Sequence, residues 1–188
     1  MDGLDDGTFR DVIGEQIEKM DLLIGKLLFW TELENSSLNK SNFDLGKSII
    51  AIMGKYALIL QENSIDFSMN VDADREYFIR AEKEGIDVVL DNLITNAIKY
   101  SNDKRIDITL TKDDNTVKLT IANGVGEIDE SELDNIWRPF YVVEKSRSKE
   151  LSGTGLGLPI IKTILDNHNL DFRFKLINNK LVFFVTFA

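Results

Sequence analysis

The chain's 188 residues carry a net charge of −10, with 43% hydrophobic and 29% charged side chains, the balance of an ordinary folded chain rather than a disordered or collagen-like one. With no cysteine and one histidine, a disulfide framework, thiol catalysis, a His-rich metal site and any two-histidine relay are excluded. The acidity argues against nonspecific nucleic-acid binding, which rests on Lys and Arg neutralising phosphates, and no apolar run approaches the roughly 20 residues of a spanning helix.

The N-terminus MDGLDDGTFRD is acidic rather than a signal peptide, so a reducing, cytoplasmic setting without direct membrane contact is expected. Ile13, Ile17, Met20, Ile24 and Leu27 recur at alternating steps of four and three, a heptad-like stripe on one helical face. Leu23, Leu28 and Leu33 widen it, and Asn35-Ser36-Ser37 gives a stop. Such a helix cannot bury its apolar face alone. The first domain is therefore expected over residues 1–40 and the second over 41–188.

From residue 41 strands and helices mix. Asn42 to Leu45 reads as a short strand, and Lys47 to Gln61 as a helix with Ile49, Ile50, Met53, Ala57 and Leu60 inward. Ile65 to Val71 alternates apolar and polar, the mark of a half-buried strand, and Tyr77 to Ala81 is expected as its antiparallel neighbour. Glu82 to Tyr100 reads as a helix, followed by strands over Arg105 to Thr111 and Val117 to Ala122 around the turn Asp113-Asp114-Asn115. Glu130 to Trp137 reads as a short helix. Phe140 to Ser152 has no stable period and carries Glu144, Lys145, Arg147, Lys149 and Glu150, so it reads as a mobile loop. A helix is expected over Gly155 to Asn167, and a closing hairpin over Phe172 to Ile177 and Leu181 to Phe187 across Asn178-Asn179.

Three segments can carry chemistry. In DNLITNAIKYS (Asp91 to Ser101), Ile86, Leu90, Leu93 and Ala97 form a core face, while Asn92, Asn96 and Lys99 line up a quarter to a third of a turn away. Two carboxamides and an ammonium on one face can offer amide oxygen to a hard cation and positive charge to phosphate; a plain solvated stripe has the same pattern. In GTGLGL (Gly153, Thr154, Gly155, Leu156, Gly157, Leu158), glycines let backbone approach a ligand where a helix begins, an anion-binding arrangement. Its spacing fits neither the dinucleotide nor the P-loop fingerprint, and Gly46-Lys47-Ser48 is no P-loop either, because Ser41 stands where that motif needs glycine. In ANGVGEI (Ala122 to Ile128) a strand end runs into a glycine turn, where a small polar side chain can meet a nucleobase amine.

In this order the three segments resemble the ATP-binding catalytic domain of sensor histidine kinases, in the superfamily shared with gyrase B, the Hsp90 chaperone and MutL. DNLITNAIKYS resembles the family's N-box, WRPFY (Trp137 to Tyr141) its F-box and GTGLGL its second glycine box; the helix over residues 8–38 resembles the second helix of the dimerisation and phosphoacceptor hairpin. The fold implied is α+β: an α/β sandwich with helices on one face of a mixed sheet (a Bergerat-type ATP fold), preceded by one long amphipathic helix. The cofactors implied are ATP and Mg²⁺. The partners implied are a cognate response regulator and, in the parent protein, a second copy through the hairpin.

Residue by residue, the resemblance makes Asn96 the Mg²⁺ ligand and Asn92 its neighbour near metal and phosphates. Lys99 becomes the phosphate-contacting base, Asn92 and Lys99 the catalytic pair, and Tyr100 the aromatic bordering the nucleotide. The amides of Gly155, Leu156 and Gly157, with Gly153 and Thr154, are expected around the phosphates, joined by Lys145 and Arg147 of the lid. Where the family usually has an adenine-binding Asp, glycine spacing points to Ala122 and counting back from Ile128 points to Asn123; Asn123 is preferred because its amide oxygen still accepts. The family's acceptor histidine has no counterpart. His168, in LDNHNLDF, is expected to cap its helix or sit at the surface. The chain thus reads as a protein histidine kinase fragment beginning after its acceptor. Rival readings are a serine kinase of the anti-sigma factor type and a degenerate domain that binds partners without turnover.

Overall fold

The computed structural model describes residues 6–35, 38–72, 75–142 and 154–188. Two units emerge, Met1–Ser36 and Ser37–Ala188. The division falls before the expected position after residue 40 because the lead-in to the first strand already belongs to the second unit. There the Asn39 N–H donates to the Glu82 carboxylate at 3.3 Å.

The first unit is helix α1 (Asp6–Asn35), about 45 Å long at 1.5 Å per residue. Ile13, Ile17, Met20 and Ile24 of the expected stripe are exposed, from 43% to 60%.

The second unit opens with β1 (Ser41–Asp44) and α2 (Leu45–Glu62). The Asp44 carboxylate accepts from the N–H groups of Gly46 (2.9 Å) and Lys47 (3.4 Å), which satisfies donors that a helix start otherwise leaves open. Leu45 is therefore the first helical residue rather than the end of the strand. The inward face of α2 is Leu45, Ile49, Met53, Tyr56 and Leu60, at steps of four, four, three and four. Ile50 and Ala57, expected inward, are exposed because they lie off that stripe.

The expected pairing of the next two strands is wrong. β2 (Asp66–Asn70) runs parallel to β4 (Arg105–Asp113), while β3 (Phe78–Ala81) pairs antiparallel with β1, Ile79 opposite Phe43. The Leu45 N–H donates to the Tyr77 carbonyl at 3.0 Å, so the chain entering β3 is held at the start of α2 and not beside β2. β2 becomes an edge strand, and its Phe67 is half-exposed instead of buried.

The main sheet has the order β2-β4-β5-β7-β6, with β5 (Thr116–Gly124), β6 (Asp171–Ile177) and β7 (Lys180–Phe187). The last turn has Asn178 at φ 49° and Asn179 at φ 60°, positive at both central positions as the two-residue hairpin turn requires. One face presents Ile106, Ile108 and Leu110 of β4, Val117, Leu119 and Ile121 of β5, and Phe183, Val185 and Phe187 of β7, all buried. The other presents Asp107, Thr109 and Thr111 of β4 and Lys118 and Thr120 of β5, the pattern of a largely solvated face, with Ala122 and Val182 buried toward one end.

Helix α3 (Lys83–Tyr100) packs against β5, α2 and α4 (Gly157–Asn167), its core face of Ile86, Leu90, Leu93 and Ala97 buried as expected. The Asp91 carboxylate ties α3 to α2 by accepting from Lys55 Nζ at 2.5 Å and the Tyr56 hydroxyl at 2.8 Å. The expected helix over Glu130 to Trp137 is only a 3₁₀ turn, Glu130–Glu132, followed by further turns. Trp137 is held by its ring instead, 5.4 Å from Phe172 and 5.2 Å from Phe174. This gives an α+β fold with a mixed sheet and helices, preceded by a separate helix.

Candidate functional site

Asn92, Asn96 and Lys99 occupy about 60° of arc on α3 at 3.6 residues per turn, next to the buried Leu93, Ile94 and Ala97. Asn92 Nδ2 donates to the Val88 carbonyl at 2.9 Å, which fixes the carboxamide and leaves Oδ1 pointing away from its own helix. That oxygen lies 2.9 Å from where a side chain on Gly157 would begin, and Asn96 Nδ2 lies 3.9 Å from the same point. The two asparagines and the start of α4 thus converge across the gap between α3 and α4. Gly157 is glycine here for lack of space.

Among the described residues none hydrogen-bonds the Asn96 carboxamide, and none form a cluster of three His, Asp or Glu that could hold a metal. A hard cation at this place would therefore take amide oxygen together with oxygens of a ligand, as Mg²⁺ usually does. The Asn96 carboxamide, with no hydrogen bond of its own to a described residue, has its oxygen available for that role. The Lys99 ammonium stands 5.0 Å from the centre of the Tyr100 ring, and burial raises the Tyr100 phenol above its ordinary pKa, keeping it neutral.

The glycine turn is shaped by contacts of its own. Gly155 has φ +67°, and a side chain there would meet the Phe140 backbone at 2.6 Å. The Phe140 N–H donates to the Gly155 carbonyl at 3.0 Å, clasping the F-box to the turn. Gly155 and Leu156 are spent on this clasp and on the N-cap position, so α4 begins at Gly157 rather than Gly155. Among the described residues no side chain caps it, leaving first-turn N–H groups open to an anion. Of the three amides expected to face phosphate, that of Leu156 donates to Thr154 Oγ1 at 3.4 Å. Lys145, Arg147 and Gly153 lie outside the described residues. Gly155→Ala should destabilise the fold by at least about 1–2 kcal/mol, the cost of left-handed backbone for a non-glycine residue; urea unfolding measures it.

At the end of β5, alternation separates Ala122 from Asn123. Asn123 stands opposite Ile106 on β4 and Leu181 on β7, on the buried face with Ile121, whereas Ala122 stands opposite Asp107 and Val182 on the other. Asn123 is buried and its Nδ2 donates to the Gly124 carbonyl at 3.2 Å. Sequence reading missed Asp103, whose Oδ1 accepts from the Gly124 N–H (3.1 Å), Ser101 Oγ (2.9 Å) and the Arg105 N–H (3.1 Å). Its carboxylate carbon sits 2.3 Å from where a Gly124 side chain would begin, so end of helix and end of strand interlock. The available signal was Ser-Asn-Asp directly after a helix, a composition suited to side-chain-to-backbone bonds.

His168 is the C-cap of α4, as one of the two expectations had it, but it is buried rather than at the surface.

Residues 81–185 match the family model described as histidine kinase-, DNA gyrase B- and HSP90-like ATPase. Among curated proteins, the sensor protein kinase WalK of Staphylococcus aureus is 30% identical over 184 residues, covering 90% of this chain and 43% of that protein. The chain therefore spans less than half the length of this relative. Among solved structures, the catalytic domain of the histidine kinase ThkA is 26% identical, with a TM-score of 0.69 over 80% of this chain and 95% of that one. ThkA in complex with the response regulator protein TrrA is similar over 100% of this chain and 52% of that one, at TM-score 0.75 and 22% identity. Full-length ShkA in complex with AMPPNP is similar over 98% of this chain and 39% of that one, at TM-score 0.78 and 16% identity; the last two likenesses speak to fold alone. The buried core face, the asparagines against the glycine turn and the matched family model agree: the chain belongs to the histidine kinase-, DNA gyrase B- and HSP90-like ATPase family, as an ATP-binding catalytic domain of the sensor histidine kinase type.

Proposed function

We propose that this chain binds ATP together with Mg²⁺ in the gap between α3 and α4, and that it is the part of a kinase that moves the γ-phosphoryl group to a histidine of an acceptor hairpin. The observation that carries this reading is the convergence of Asn92 Oδ1 and the Asn96 carboxamide on Gly157, which sets two side-chain amides beside open helix N–H groups. Support comes from the AMPPNP held by the similar ShkA and the response regulator bound by the similar ThkA.

In this reading Asn96 Oδ1 holds the metal and Asn92, fixed through Val88, stands beside it. Mg²⁺, when bound, neutralises charge on the phosphates. Lys99 and the amides at Gly155 and Gly157 hold the phosphates, with Gly153, Thr154, Lys145 and Arg147 completing the enclosure by resemblance. Asn123 accepts from the adenine amino group, and Tyr100 borders the nucleotide. The protein's contribution is position and charge, with no covalent step on its own side chains. The γ-phosphorus bond to the ADP oxygen breaks and a bond to the acceptor imidazole nitrogen forms, the phosphoryl then passing to a carboxylate on a response regulator. The α1 stripe suits pairing with a second copy in a longer parent. Among the described residues no helix is long and apolar enough to cross a membrane, which is compatible with a cytoplasmic site of action.

Gly157→Ala separates binding from folding. The new methyl group meets the Asn92 carboxamide, the movable end of a side chain, rather than backbone. Stability should change by under about 1 kcal/mol, the usual helix gain of alanine over glycine offsetting the displacement, while nucleotide affinity should fall about tenfold, or 1.4 kcal/mol. Calorimetric titration of a nonhydrolysable ATP analogue, with Mg²⁺ and with a chelator, tests the proposed function. One-to-one binding strengthened by Mg²⁺ is expected; no binding under either condition would refute it.

A further inference from the structure

His168 is the chain's one histidine and is 6% exposed. Both ring nitrogens are engaged. Nδ1 lies 2.7 Å from the Ile164 carbonyl, an acceptor only, so Nδ1 carries the proton and donates. Nε2 then has the lone pair, and it accepts from the Glu82 N–H at 3.0 Å. These partners assign one neutral tautomer.

Glu82 is the N-cap of α3, and its own side chain makes no cap bond. Its carbonyl already accepts the first helical bond, from the Ile86 N–H at 3.1 Å. His168 therefore supplies what a capping side chain would not: an anchor for the residue from which α3 starts, given by the residue at which α4 ends. The helices are close at this point. A side chain on Gly85 would meet Ile164 Cγ2 at 3.3 Å and approach His168 Cε1 at 3.9 Å. Seven residues further along α3 stands Asn92, and seven residues back along α4 stands Gly157, against which Asn92 rests. On both helices that is about two turns, or 10 Å. One lengthwise register thus sets both contacts.

We propose that His168 is a positioning residue for the nucleotide site: by pinning the start of α3 to the end of α4 it fixes how Asn92 and Asn96 stand against the glycine turn. It touches no nucleotide. It acts through the register of a helix pair, and its loss displaces two carboxamides about 15 and 21 Å further along α3. The inference rests on the assignment of Asn96 as metal ligand.

Two substitutions differing by one methylene isolate the Glu82 contact. His168→Gln can place its amide oxygen near the position of Nε2 and still accept from Glu82. His168→Asn reaches only the position of Nδ1, so it can serve Ile164 but not Glu82. The side-chain amide resonances of Asn92 and Asn96, read without nucleotide, should move in H168N and stay near their original positions in H168Q. The gain in affinity for a nonhydrolysable ATP analogue on adding Mg²⁺ should shrink about tenfold or more in H168N, since a displacement of about 1 Å in a positioned group can cost on the order of 100-fold. H168Q should restore most of it.

Unmoved asparagine resonances and an intact Mg²⁺ gain in a folded H168N would overturn the inference. If Asn96→Ala also left the Mg²⁺ gain intact, the ligand assignment would be what failed. Should H168N not fold, the ring nitrogens of the unaltered chain decide: a protonated Nδ1 with an unprotonated Nε2 supports the inference, and the reverse tautomer overturns it.

Discussion

Asn96→Ala removes the magnesium-dependent part of nucleotide affinity, and of all single substitutions it is expected to cost the site most. The Asn96 carboxamide has no protein partner among the described residues, so truncating it breaks no internal bond and leaves the buried face of α3 intact. Its carboxamide stands near the glycine turn, with Nδ2 3.9 Å from where a Gly157 side chain would begin, and is not already fixed, whereas Asn92 is held by the Val88 carbonyl. A polar contact to a charged partner is worth about 1.5–3 kcal/mol, so affinity in the presence of Mg²⁺ should fall about 10- to 100-fold. Affinity in a chelator should be nearly unchanged. Calorimetry under both conditions reads the difference; equal Mg²⁺ gains for the variant and the original would remove Asn96 from the metal.

The second large effect is a failure to react. Incubated with labelled ATP, this chain alone acquires no acid-labile phosphate. Its one histidine is buried, with one nitrogen donating to Ile164 and the other accepting from Glu82, so no imidazole lone pair is free to attack phosphorus. A separately supplied acceptor hairpin from a parent protein should be phosphorylated, slowly and in proportion to its concentration, because the tether that would raise the local histidine concentration is missing from such a mixture. Charges placed in the α1 stripe by Ile17→Asp and Ile24→Asp, both exposed positions, should weaken this transfer more than they weaken ATP binding. Self-phosphorylation that disappears in His168→Ala would contradict the burial argument; nucleotide binding without transfer to any hairpin would favour a partner-binding domain.

The sequence is most legible where structure is local. The core face of α3 follows from a 3.6-residue period, and the β6–β7 hairpin from two asparagines able to take positive φ. Strand pairing was not legible. β2 and β3 are consecutive in the chain, yet each found a partner elsewhere, because the α2 cap and the Leu45–Tyr77 bond hold β3 to β1. On α2 the expected inward set of Ile49, Ile50, Met53, Ala57 and Leu60 is centred too far round the helix: Tyr56 belongs on the stripe, and Ile50 and Ala57 do not.

The candidate site divides the same way. Asn92, Asn96 and Lys99 could be read as a stripe because one helix carries all three. That Gly157 rests on Asn92 could not, since the contact joins residues from separate elements and the glycine's role is to be small. Asn123 was distinguished from Ala122 by counting, and β5 alternation gives the physical ground: one residue of shift turns a side chain to the opposite face. Asp103 escaped notice, and so did the contact of His168 with Glu82, because that work is done toward backbone, the Gly124 N–H in one case and the Glu82 N–H in the other.

A crystal structure of this chain with a nonhydrolysable ATP analogue and Mg²⁺ tests the central claim most directly. The result expected is a metal with Asn96 Oδ1 at about 2.0–2.1 Å, the Mg²⁺–oxygen distance, phosphates against the start of α4 and the adenine amino group beside Asn123. A nucleotide seated away from the gap between α3 and α4, or a metal with no contact to Asn96, would contradict it.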